Sequence, residues 1–129
     1  MSLAATTALI ASGQADRMKR LEAEDMVNTD QAAEMAGTSR VTINAWIKKG
    51  RAIGLAQTTR GFKLPRWQFE PAMWPAIQRL SAALDVTDGW AILGFLETPQ
   101  GGLDGRTPRQ AIEQGELARV MELAGAEGT

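Results

Sequence analysis

Three polar side chains with a spacing of four residues, Arg40, Asn44 and Lys48, are the ones in this sequence best suited to chemistry. Residues at this spacing lie on one face of a helix. Arginine and lysine can bond guanine, asparagine can bond adenine, and the cations can also neutralise phosphates. The pattern predicts a helix that enters the major groove of duplex DNA.

The composition excludes most other kinds of site. The chain has 129 residues, with no cysteine and no histidine. Disulfides, thiolate or imidazole metal sites and catalysis by histidine are therefore excluded. Carboxylates are scattered along polar helix faces, and no pair stands out as an acid and base. We expect no enzyme, no cofactor and no metal.

The chain also lacks the features of a membrane or secreted protein. It contains no run of about eighteen apolar residues, the length that would indicate a transmembrane helix. Its start, MSLAATTALIASG, has no charged leader and is interrupted by two threonines. We expect a cytoplasmic location and no membrane partner.

The polar face belongs to a predicted pair of helices. The first runs from Asp30 to Ala36, and the second begins after an N-cap at Ser39 and runs to Lys49. Gly37 supplies the turn between them, because glycine tolerates positive φ. Spacings of three and four residues place an apolar face on the second helix, formed by Ile43, Trp46 and Ile47. The pattern indicates a helix-turn-helix, although two helices joined by a glycine also occur as an ordinary helical hairpin.

A β-hairpin is predicted directly after Gly50. Residues 52–56 and 62–64 show the alternating pattern of strands, and Thr58 to Gly61 provide turn residues with the tip at Arg60-Gly61. Pro65 ends the second strand because it cannot donate a ladder hydrogen bond. Such a hairpin can act as a wing that contacts phosphates. The alternative is a structural hairpin with a solvated arginine.

Charge is divided unevenly along the chain. The net charge is −1 over residues 1–25, +5 over residues 26–66 and −5 over residues 67–129, which sums to the overall −1. A basic middle and an acidic end suggest a polyanionic partner for one part and a protein partner for the other.

Residues 26–70 resemble the winged-helix DNA-binding modules of the MerR and excisionase kind. The resemblance is carried by Thr29, Ala32-Ala33, Gly37, Ser39-Arg40, Trp46-Ile47, Gly50 and Arg60-Gly61. It implies that the second helix reads the groove and that the hairpin contacts the backbone. With the neighbouring cations included, the predicted DNA-binding residues are Ser39, Arg40, Thr42, Asn44, Lys48, Lys49, Arg51, Arg60 and Lys63. The long C-terminal coiled coil of MerR regulators is lacking.

Helical periodicity returns after Pro71. Met73, Ile77, Leu80 and Leu84 form one stripe, and a nearly apolar helix is predicted over residues 89–96. Thr107, Pro108 and Gln110 have the arrangement of a helix cap. The last helix carries the stripe Leu117, Val120, Met121 and Ala124.

Residues 87–128 resemble the C-terminal domain of antitoxins of the Xre, MbcA and ParS kind. The features that carry this are Trp90, Phe95-Leu96, Pro99, Leu103, Gly105, Thr107-Pro108, Gly115, Val120 and the glycine-containing tail. The resemblance implies a toxin partner, typically of the RES type, and repression of the pair's own operon. The toxin-binding residues we assign on this basis are Arg106, Arg109, Arg119, Glu122, Leu123, Gly125 and Gly128. This sequence differs from that family in its N-terminal half, where a MerR-like winged module replaces the family's Xre-like helical bundle.

These observations predict a mainly α fold with a small β-hairpin. We expect an N-terminal arm at 1–25 that is helical or oligomerising, a winged helix-turn-helix at 26–70 and a helical antitoxin-like domain at 71–129. The expected function is that of a DNA-binding antitoxin and repressor of a type II toxin–antitoxin module, acting as a homodimer or higher oligomer. One alternative is a stand-alone winged-helix regulator that self-associates through its C-terminal half. Another is a protein-interaction module without a DNA role, against which the basic middle segment argues.

Overall fold

Helices and one small antiparallel sheet make up residues 15–56 and 61–128, the part of the chain that the computed structural model describes. The mainly helical class predicted from the sequence is confirmed. The helices are α1 (residues 15–21), α2 (Thr29–Ala36), α3 (Arg40–Lys48), α4 (Trp74–Leu84), α5 (Gly89–Glu97), α6 (Pro108–Glu113) and α7 (Leu117–Glu127). The strands are β1 (Met26–Asn28), β2 (Leu55–Ala56) and β3 (Phe62–Pro65), with 3-10 turns at Arg66–Phe69 and Gly101–Leu103.

The sheet has one more strand than the sequence predicted. Its order is β1-β3-β2, and both pairings are antiparallel, with Val27 opposite Leu64 and Leu55 opposite Lys63. β1 was missed because a three-residue strand is too short to show alternation. The predicted first hairpin strand, 52–56, is a strand only at its last two residues. The predicted tip falls partly on residues 57–60, which lie outside the described residues.

Caps determine where α2 and α3 begin. Asn28 accepts a hydrogen bond from the backbone N–H of Gln31, whose side chain accepts in return from the N–H of Asn28. This capping box starts α2 at Thr29, one residue earlier than predicted. Gly37 ends α2 in the left-handed conformation with φ 68°. Ser39 caps α3 as predicted, because its hydroxyl accepts from the N–H of Thr42.

Two apolar clusters lie inside the described residues. The smaller cluster is made by α2, α3 and β3 and consists of Ala32, Ala33, Ile43, Ile47, Ala52 and Leu64. The larger cluster is made mainly by α4 to α7, and it includes all four residues of the predicted stripe, Met73, Ile77, Leu80 and Leu84. It also contains Ile53, Leu55 and Trp67, so the cluster extends across residue 70 into the segment predicted as a winged helix-turn-helix, 26–70.

Gly54 and Gly89 allow the segment before β2 to lie in close contact with α3 and α5. A Cβ added to Gly89, at the start of α5, would lie 2.2 Å from the carbonyl oxygen of Gly54. A Cβ added to Gly54 would lie 2.6 Å from Ile47 of α3. The start of α5 therefore packs against the backbone of the segment before β2, and the side chain of Ile47 packs directly on Gly54, so neither glycine leaves room for a Cβ.

A buried amide joins the segment before β2 to the end of β3. Gln68 is fully buried, and its Nε2 donates to the carbonyl oxygens of Ile53 and Pro65 at 2.9 and 3.0 Å. Its Oε1 accepts from the N–H of Ile53 at 2.8 Å. This side chain therefore supplies partners for both backbone groups of the buried Ile53 and adds a second donor to the carbonyl of Pro65, which also begins the 3-10 turn Arg66–Phe69.

α1 is held to the rest of the structure by Arg20. Its guanidinium donates to Asp25 at 2.7 and 2.8 Å and to Glu97, at the end of α5, at 2.9 and 2.8 Å. The hydrogen bond from Arg20 lowers the pKa of Asp25, which also accepts from the indole N–H of Trp67. Trp67 is buried. Part of the expected arm at 1–25 is thus helical and packed, whereas residues 1–14 lie outside the described residues.

Among the described helices, none is long and apolar enough to cross a membrane.

The substitution Gln68→Ala tests the role of the buried amide. It leaves both the N–H and the carbonyl of the buried Ile53 without partners and removes one of the donors to Pro65, so we expect the free energy of unfolding to fall by about 3–5 kcal/mol. The matched control is Gln78→Ala, which removes one hydrogen bond to the carbonyl of Arg51 at a more exposed position. It should cost about 1 kcal/mol or less. Denaturant unfolding measures both, and equal losses would contradict the assigned role.

Candidate nucleic-acid interface

α3 has one buried face and one exposed face, as its sequence predicted. Ile43 and Ile47 are 0% and 7% exposed, whereas Arg40, Asn44 and Lys48 are exposed. Trp46, predicted to share the buried face, is only partly buried. Its ring lies 5.4 Å from that of Trp74 at the edge of the smaller cluster. The polar side of α3 is therefore available to a partner along its length.

An open groove lies between the start of α2, the first turns of α3 and β3. Its volume is about 450 Å³, and we call it the first groove. Three of the predicted DNA-binding residues meet in it: Arg40 and Asn44 from α3 and Lys63 from β3. The remaining lining residues are Asn28, Thr29, Asp30, Gly61 and Phe62.

A second groove lies on the other side of Asn44 and Phe62. Its volume is about 400 Å³, and it brings Asn44 and Lys48 beside the start of α5. Its other lining residues are Ile47, Gly54, Ala56, Phe62, Thr87, Asp88 and Gly89. Because Asn44 and Phe62 line both grooves, the polar face of α3 borders the two, with Arg40 and Lys63 in the first groove and Lys48 in the second.

The other predicted DNA-binding residues lie outside these grooves. Ser39 and Thr42 are engaged with each other through the cap, with hydroxyl oxygens 3.1 Å apart. Lys49 and Arg51 are exposed but follow the C-terminal end of α3. Arg60 lies outside the described residues. The structure thus brings Arg40, Asn44 and Lys63 together in the first groove, and Asn44 and Lys48 together in the second.

The sequence did not indicate that Arg40 is paired. Its Nε donates to Oδ1 of Asp30 at 2.8 Å, and its Nη2 donates to Oδ2 at 2.6 Å. This hydrogen bond lowers the pKa of Asp30 and raises that of Arg40. A turn separates the two residues, so no helical spacing could have predicted the contact.

Val41 is an exposed apolar residue on α3 that was not among the residues predicted to contact DNA. It is 77% exposed, which is unusual for a large apolar side chain. At 100° per residue it lies about 200° from Ile43, so the helical period could have placed it on the outer face. An apolar side chain at this position can contact the methyl group of thymine.

The seven predicted toxin-binding residues are distributed over the loop before α6, α6 itself, α7 and the end of the chain. Arg106 donates to the carbonyl of Leu103 and pairs with Glu116, which raises the pKa of Arg106. Arg109 lies over the ring of Trp67 at 4.2 Å and pairs with Glu113.

The remaining five are on α7 or directly after it. Arg119 pairs with Glu116 at 3.3 Å, and Glu122 is exposed. Leu123 faces Gly102, and Gly125 is partly buried. Gly128 packs so closely on α4 that a Cβ there would lie 2.2 Å from the carbonyl oxygen of Ala83. Several of the seven are thus engaged in internal contacts.

Comparison of the chain with protein-family models, curated proteins and solved structures finds no match. The interpretation of the grooves therefore depends on their own charges and geometry.

Proposed function

We propose that this protein is a transcriptional repressor that binds duplex DNA as a winged helix-turn-helix. In this proposal α2 and α3 are the helix-turn-helix, α3 is the recognition helix and the β2–β3 hairpin is the wing. The observation that supports it most is the exposed face of α3, which places Arg40, Asn44 and Lys48 beside two grooves, the first of which also contains Lys63.

The dimensions of α3 are compatible with the major groove. Nine residues form a helix about 13 Å long, and a helix of ordinary diameter fits a groove about 12 Å wide. Ile43 and Ile47 bury the opposite side of α3 against α2 and β3, so insertion does not require the helix to leave its core. Arg40 and Asn44 are the residue types that bond guanine and adenine in this groove.

Charge favours the same side of the molecule. The segment from 26 to 66 has a net charge of +5, and the segment from 67 to 129 has −5. Phosphates attract the first and repel the second, so electrostatic steering orients α3 towards DNA. Lys63 on β3 and Lys48 near the end of α3 are the described cations placed to contact phosphates on either side of Asn44.

Binding to DNA should be strongly dependent on salt. If the protein neutralises about four phosphates, its affinity should fall about 100-fold between roughly 50 and 200 mM salt. Lys48→Ala and Lys63→Ala should each reduce the slope of log affinity against log salt by about one. Fluorescence anisotropy on a duplex from the region upstream of the gene measures both quantities.

Arg79→Ala is the matched control for the lysine variants. Arg79 is an exposed cation on α4, outside both grooves, so its loss should leave the salt slope unchanged. Absence of binding at micromolar protein and low salt would remove the proposed function. Equal effects of the three variants would place the DNA elsewhere.

We further propose that the repressor is an antitoxin whose C-terminal helices neutralise a toxin, as the resemblance of residues 87–128 implies. The acidic charge of residues 67–129 supports a protein rather than a nucleic-acid partner for this end. Of the assigned residues, Arg119 and Glu122 on α7 have the most exposed positions. They are the first candidates for the toxin contact. The alternative is a stand-alone regulator that uses these helices for self-association.

Co-expression with the product of the neighbouring reading frame distinguishes the two possibilities. If that product arrests growth, the full-length protein should restore growth and the double variant R119A/E122A should restore it less. The double variant keeps the net charge, and R79A is its control on α4. Failure of the full-length protein to relieve the arrest, or a neighbouring product without toxicity, would favour the stand-alone regulator.

A further inference from the structure

We propose that Asp30 is a positioning residue that holds Arg40 for a bidentate contact with guanine and so sets the base preference of α3. This inference rests on the proposed function, because it specifies how the recognition helix reads one base pair. It concerns a contact between α2 and α3 that the sequence did not indicate.

The geometry of the ion pair leaves the reading edge of Arg40 open. Asp30 accepts hydrogen bonds from Nε and Nη2, which form the side edge of the guanidinium. The end edge, formed by Nη1 and the second N–H of Nη2, carries two parallel donors. Nη1 makes no hydrogen bond to another residue within 15–56 and 61–128. Two parallel donors match O6 and N7 of guanine in the major groove.

Asp30 and Arg40 both line the first groove, as does Asn44. The side chains of Arg40 and Asp30 are 62% and 65% exposed. An ion pair so accessible to water contributes little to folding stability, so its main effect is on the direction and freedom of the arginine. An arginine that is already oriented loses less side-chain entropy when it binds a base.

A carboxylate at this place also has a cost for DNA binding. Its charge repels nearby phosphates, so it weakens binding to every sequence. A base contact that depends on orientation strengthens binding to one sequence only. Asp30 therefore lowers the affinity for DNA of any sequence and raises the preference for one sequence. If it were instead a competitor that Arg40 must leave before reading DNA, its removal would strengthen binding to the preferred site without loss of base preference.

The variants Asp30→Asn and Glu34→Gln separate orientation from charge. Glu34 is exposed on the same helix four residues later, and its side chain has no hydrogen bond or ion pair to the described residues. Both variants remove one negative charge, but only Asp30→Asn alters the contact with Arg40. The preferred duplex is first selected from a randomised pool with the full-length protein. Affinities are then measured for that duplex and for versions with each guanine pair replaced.

We expect Asp30→Asn to reduce the preference for guanine at one base pair by about tenfold, because a bidentate contact there loses its alignment. Glu34→Gln should change every duplex equally and leave the preference within about twofold. In the background of Arg40→Lys, which cannot make a side contact and an end contact together, Asp30→Asn should have no further effect on preference. Thermal midpoints should differ by no more than about 4 °C, since an exposed pair is involved.

The outcomes distinguish this inference from the function on which it rests. If the wild-type protein selects no sequence and shows no salt-dependent binding, the proposed function fails. If it selects a site and Asp30→Asn keeps the same guanine preference, only the positioning role is overturned. A gain of affinity at the preferred site with unchanged preference would identify Asp30 as a competitor and would equally overturn it.

Discussion

The buried side chain of Gln68 is the interaction on which the arrangement of this protein most depends. Its hydrogen bonds to Ile53 and Pro65 fix the segment before β2 against the end of β3. Ile53 belongs to the larger apolar cluster, and the neighbouring Ala52 belongs to the smaller one, so the amide lies where the two clusters meet. An amide there is stable only because both its donor and its acceptor are satisfied. The position of the hairpin beside α3, and hence the shape of both grooves, follows from this junction.

The two oppositely charged parts of the chain are physically connected by the same packing. Gly54 contacts Ile47 of α3 on one side and Gly89 of α5 on the other. Trp67, next to Gln68, contacts Arg109 of α6 through its ring and Asp25 through its indole N–H. A change in the packing of the C-terminal helices would therefore act on elements that border the proposed DNA-binding face. Point substitutions on exposed positions are for this reason better tests of the C-terminal helices than truncations.

Local signals in the sequence predicted the helices well. Ser39 and the Thr107–Gln110 capping box start helices as expected, because a cap depends only on residues within one turn. The apolar period placed Ile43 and Ile47 inside and Asn44 and Lys48 outside. β1 was not predicted, since its strand character comes from pairing with β3, far away in sequence. The contact between Asp30 and Arg40 and the role of Gln68 were likewise out of reach, because each joins segments whose relative position the fold decides.

The most direct test of the central claim, that α3 reads bases in the major groove, is a comparison of two guanine analogues in the preferred duplex. 7-Deazaguanine lacks the N7 acceptor of the major groove, and inosine lacks the exocyclic amine of the minor groove. Affinity should fall about tenfold with 7-deazaguanine at the guanine contacted by Arg40, and it should change little with inosine at the same place. Weaker binding with inosine and unchanged binding with 7-deazaguanine would show that the protein reads the minor groove, which would contradict the assignment of α3.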